Sequence, residues 1–189
     1  MIKLLGETAQ FMRIRYLLLA ISFTLACSAL ASAQAVESVY TDFKNCKTLE
    51  QDDEAAGYLL EECRGVGGYK LRVRSQDDRQ DIAVLTPNGT EHELNLGQIG
   101  GGGFSGLGEK VEWRVKREGG KIVPIALIVR FNVVTDPSTP EKSTSYLVVS
   151  KITSRQVCRI GEVDPGPNAN QQARRMADGS AARPCVKPL

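Results

Sequence analysis

The chain carries a single histidine, so any histidine-based acid–base chemistry must run through His92. In the stretch 90–96 it shares a strand face with Leu94 and Leu96, while Glu91, Glu93 and Asn95 point the other way. That setting fits a half-buried structural imidazole rather than a catalytic one. Asp52-Asp53-Glu54 and Asp77-Asp78 with Asp81 offer oxygen ligands of the kind calcium takes. Neither group has the ligand count or turn glycine of a calcium loop, so solvated turn charge is expected and no metal site is assigned. Gly101, Gly103 and Gly106 satisfy G-x-G-x-x-G. Pyrophosphate binding needs that turn between a strand and a helix, whereas a strand follows here. Ser105 forms no nucleophile elbow, because Leu107 stands where a glycine is required. No catalytic residue and no cofactor are therefore assigned.

The glycine-rich segment 100–108 reads instead as a flexible loop. If it binds anything, exposed Phe104 is the expected contact, with Gly103, Ser105 and Gly106 around it. Asn88-Gly89-Thr90 has the form of an N-glycosylation sequon.

Four of the five cysteines, Cys46, Cys63, Cys158 and Cys185, lie beyond residue 33. Four cysteines allow three pairings; Cys46–Cys63 and Cys158–Cys185 are favoured. A turn near Asp53–Gly57 folds 46–52 onto 58–63, in a register that sets Cys46 opposite Cys63 and Leu49 opposite Leu60. Directly opposed strand residues lie within disulfide reach. Zinc is disfavoured, since there is no Cys-x-x-Cys and His92 is distant in sequence from all four.

Disulfides require an oxidising compartment, and the chain opens as an export signal would. Arg13 and Arg15 precede an apolar run from Tyr16 to Leu30, and Ala31-Ser32-Ala33 has the small-x-small form of a cleavage site. Residues 1–33 read as a signal peptide, whose start could equally be Met12. The apolar run is shorter than the roughly 20 residues that span a bilayer, so no stable membrane anchor is expected. The remainder, 34–189, suits one exported globular domain. Removing the leader takes away Lys3, Arg13 and Arg15 against Glu7 alone, so the full chain's charge of +2 falls to zero. A neutral chain with 6% aromatic residues offers neither a basic stripe nor a stacking platform, and no nucleic acid is expected.

The elements that must position these residues are mostly short strands, expected at roughly 47–52, 58–63, 69–75, 80–86, 90–96, 110–117, 122–133, 144–152 and 156–163. Thr86-Pro87-Asn88-Gly89 suits a hairpin turn, and Gly119-Gly120 a second. Val111, Trp113 and Val115 alternate with Glu112, Arg114 and Lys116, as in a half-buried strand with Trp113 in the core. Ile125-Ala126-Leu127-Ile128-Val129 is apolar on both faces and reads as a central strand; Pro124 is tolerable only at its start or at a bulge. Asn168 caps a helix that carries Ala169, Ala173, Met176 and Ala177 as an apolar stripe, and Gly179 ends it. The fold class expected is mainly β: a twisted antiparallel sheet, as a sandwich or partial barrel, with one C-terminal α-helix and two disulfide staples.

Ser38-Val39-Tyr40-Thr41-Asp42, Cys46, Cys63-Arg64-Gly65 and Gly67-Gly68-Tyr69, with Glu112-Trp113-Arg114 and Leu147-Val148-Val149 later, carry a resemblance. These blocks resemble small exported alphaproteobacterial proteins of unknown function. The resemblance implies a Gram-negative periplasm and brings no catalytic residue. The reading is an exported, periplasmic or secreted, non-catalytic binding protein with a protein partner in the cell envelope. The alternatives are a small periplasmic hydrolase, or an envelope structural or inhibitor-like protein.

Overall fold

Alternating apolar residues write one buried face into Lys70–Gln76, while Ala126–Val129 is buried on both faces. A computed structural model describes residues 34–187, so the expected signal peptide lies outside the described residues. From Ala35 onward the chain forms one unit. One sheet runs in the order β1-β7-β8-β9-β10: Glu37–Asp42, Ser105–Glu118, Lys121–Val133, Thr144–Ile152 and Val157–Val163. The other is β2-β3-β4-β5-β6: Lys47–Asp52, Tyr58–Arg64, Lys70–Gln76, Arg79–Leu85 and Glu91–Glu93. Every pairing is antiparallel. The fold is a two-layer sandwich and not a closed barrel.

The core between the layers follows the pleat. Leu71, Val73, Ile82 and Val84 from one sheet meet Val111, Trp113, Leu127, Val129 and Phe131 from the other. Trp113 is fully buried, as its alternation predicts, and its indole Nε1 donates to Thr41 Oγ1 at 2.9 Å. A buried indole N–H needs such a partner. The Gly119-Gly120 turn closes a two-residue hairpin with both residues at positive φ, the geometry that matches strand twist. Pro124 sits at a register shift between β7 and β8. Next to it, Ile125 carbonyl accepts from Ser180 Oγ at 3.2 Å.

The other face of the β1–β10 sheet is covered by α1, Ala169–Asp178. Ala173 and Ala177 are fully buried against Ala126, Ile128, Leu147 and Val149, with Ala169 and Met176 packed beside them. Small residues let the helix approach the sheet closely. The start of α1 lacks the expected side-chain cap from Asn168; its carbonyl instead accepts from Gln172 N. Both favoured disulfides are present. Cys158–Cys185 ties the segment after α1 to β10, where Val186 N also donates to Arg159 carbonyl.

Four local expectations need correction. Glu37–Asp42 is a strand that the sequence reading did not include. A bulge at Leu49 shifts the β2–β3 register, so Glu50 rather than Leu49 faces Leu60. The expected strand 90–96 stops at Glu93: Asn95 takes a left-handed φ of 55°, and a 3-10 turn spans Leu96–Gly101. The strand expected at 110–117 begins at Ser105, so half of the supposed glycine loop is sheet.

Candidate functional site

Among the described residues, exposed large apolar side chains are few: Tyr40, Phe104 and Val186. Phe104 stands at the junction of the 3-10 turn and β7. Gly100, Gly101 and Gly102 reach it through consecutive positive φ values, which only glycine adopts without strain. At Gly103 a Cβ atom would overlap the Val134 carbonyl oxygen, so the chain passes that strand end at backbone distance.

Close passage lets three elements grip the segment. Val134 N donates to Phe104 O at 2.9 Å, Ser105 N to Asp78 O at 2.9 Å, and Leu107 N to Gln80 Oε1 at 2.7 Å. From the β4–β5 turn, Arg79 Nε donates to Gly102 O at 3.2 Å, and its guanidinium lies 5.1 Å from the Phe104 ring centre. A cation over a ring at that distance is worth about 0.5–1 kcal/mol at an exposed site. Phe104 is still 45% exposed. The tip is thus an aromatic ring held in place and turned to solvent, backed by one arginine. Gly103, Ser105 and Gly106 supply the approach and the backbone contacts; Phe104 alone offers a large side chain for a partner.

The remaining sequence candidates lie elsewhere. His92 pairs across from Val84, at the far end of the β5 strand from the Phe104 tip. Asp81 is no calcium ligand in waiting: its carboxylate receives the backbone N–H groups of Ile82 and Leu96, which sets the break after β6. Asp52 Oδ1 accepts from Glu54 N and Ala55 N, and Asp77 and Asp78 form a two-residue turn with positive φ. Among the described residues, no group of three or more His, Cys, Asp or Glu side chains could hold a metal ion.

One cluster escaped the sequence reading. Glu112 and Arg114, the polar alternates of a half-buried strand in the sequence pattern, are only 11% and 9% exposed in their side chains, because α1 and β1 cover them. Arg174 on α1 donates to Glu112 through Nε at 2.7 Å and Nη2 at 3.1 Å. Arg114 grips Asp178 at 2.7 and 2.9 Å, and Ser38 Oγ donates to Glu112 at 2.6 Å. Burial alone would push the Glu112 carboxyl up, but hydrogen bonds from Arg174 and Ser38 and the Arg174 charge outweigh it and hold it below the usual carboxylate range. Two cations and two anions cancel there, so the cluster fastens helix to sheet and leaves no charge free for chemistry. The β-propensity of Ser38-Val39-Tyr40-Thr41 was the signal for the strand that completes it.

Comparison with family models, with curated proteins and with solved structures found no match to this chain. No helix among the described residues is long and apolar enough to cross a membrane.

Proposed function

We propose that this chain is an exported, non-catalytic recognition protein that works in the periplasm or outside the cell and contacts a protein partner in the envelope through its Phe104 tip. The observation that carries the reading is the fixed, solvent-turned Phe104 ring with Arg79 against it. Aromatic and arginine side chains dominate binding energy at protein interfaces, and a contact already ordered loses little entropy on docking. The two disulfides suit an oxidising compartment and agree with the leader-like residues 1–33. Glu112, Arg114, Arg174 and Asp178 are engaged with one another, and no carboxylate among the described residues pairs with His92. That arrangement serves a binding module better than a histidine-dependent hydrolase.

A photoreactive amino acid placed at position 104 tests the reading in the envelope of a producing cell. Cross-links to a defined partner protein are expected from position 104 and not from position 119, in the exposed turn at the far end of β7. Equal, diffuse labelling from both would overturn the tip as the contact.

A further inference from the structure

A second cleft opens at the opposite end of the sandwich. There the β5–β6 turn faces the β9–β10 turn, across Tyr69 at the start of β4. Its volume is about 330 Å³, at the small end of ligand pockets and sufficient for one hexose-sized molecule.

What lines it is chemically one-sided. No carboxylate contributes to the wall, although acids and bases balance over residues 34–189. Arg155, His92 and Tyr69 all line it, and the guanidinium, the imidazole ring and the phenol hydroxyl have no hydrogen-bond or ion-pair partner among the described residues. The Ser154 and Thr90 hydroxyls are likewise uncommitted, whereas Asn88 Oδ1 is taken up by Thr86 and Thr90 N, leaving its amide N–H groups to face outward. Burial pushes the Tyr69 hydroxyl up, so it remains a donor through the neutral range. An unpaired guanidinium and unused donors around one hollow that holds no carboxylate define a place for negative oxygen.

We infer that this cleft binds the carboxylate or phosphate group of a small, hydroxyl-rich molecule. Arg155 supplies the charge, and Tyr69, His92 and Ser154 supply further donors around it. The Tyr69 ring, seated on Trp113 at 6.4 Å between centroids, gives one firm wall. The site lies at the other end of the domain from Phe104 and does not depend on the tip being an interface.

The test is an amide-resonance titration of the intact, oxidised protein with glucuronate, glucose 6-phosphate, inorganic phosphate and glucose. Saturable shifts at Thr90, His92, Ser154 and Arg155 are expected from the charged probes, with glucose inert. Arg155→Gln should bind about tenfold more weakly and melt as the parent does, since its guanidinium holds nothing. Phe104→Ala should bind these probes unchanged. Phosphate binding as well as the sugar anions would assign recognition to the oxyanion alone; tighter sugar anions would add the hydroxyls. No saturable shift from any charged probe, equal shifts from glucose, or full affinity in Arg155→Gln would each overturn the proposal.

Discussion

Arg174 on the C-terminal helix holds both carboxylate oxygens of Glu112, a residue of β7, at 2.7 and 3.1 Å. Removing the negative charge leaves Arg174 without its carboxylate and Arg114 with Asp178 alone. Glu112→Gln should therefore lower unfolding free energy by about 2 kcal/mol, less than for a fully buried pair because Arg174 is partly solvated. Chemical denaturation at neutral pH measures it.

The same carboxyl predicts an acid limb. Its folded pKa lies below the unfolded value, so its contribution is fully present above about pH 4 and is lost as pH falls through the folded pKa. Thermal midpoints of the parent should drop more steeply below that pH than those of Glu112→Gln. Parallel acid limbs in the two proteins would contradict this.

Cys158–Cys185 closes a loop of 27 residues that contains α1. Replacing both cysteines by serine should cost on the order of 3 kcal/mol through loop entropy and release the chain end from β10. Hydrogen exchange should then rise first in α1, whose packing rests on small alanines. Exchange rising first in β4 instead would show that the helix holds without the bond.

Thr41→Val removes the acceptor for the Trp113 indole and keeps the shape of the side chain. An unpaired buried N–H costs about 1–3 kcal/mol, so a loss in that range is expected. Trp113 fluorescence should shift at the same time, as the indole loses its polar neighbour.

Much of the sandwich was legible because alternation and turn chemistry are local. Val111-Trp113-Val115, the Gly119-Gly120 turn and both disulfides followed from spacing alone. What escaped depends on partners remote in sequence. Glu112 and Arg114 look like solvent-facing alternates until Arg174 and Asp178, some sixty residues on, cover them. Asp81 looks like one more turn acid until Leu96 N reaches it. The Phe104 segment read as a loop because glycine spacing cannot reveal that the Val134 carbonyl oxygen fills the room a Cβ would take.

Gly103→Ala and Phe104→Ala separate holding from contacting. The alanine at 103 meets the Val134 carbonyl oxygen, so stability should fall by about 1–3 kcal/mol. The alanine at 104 removes a half-exposed ring and its contact with Arg79, so stability should fall by no more than about 1 kcal/mol.

Capture from the native envelope tests the central claim most directly: tagged parent and Phe104→Ala proteins are cross-linked in place and the captured species identified by mass spectrometry. The account predicts one or two reproducible partner proteins with the parent and a loss of most of that yield with Phe104→Ala, which remains folded. Undiminished capture by Phe104→Ala, or recovery of uncross-linked chain from both, would contradict it.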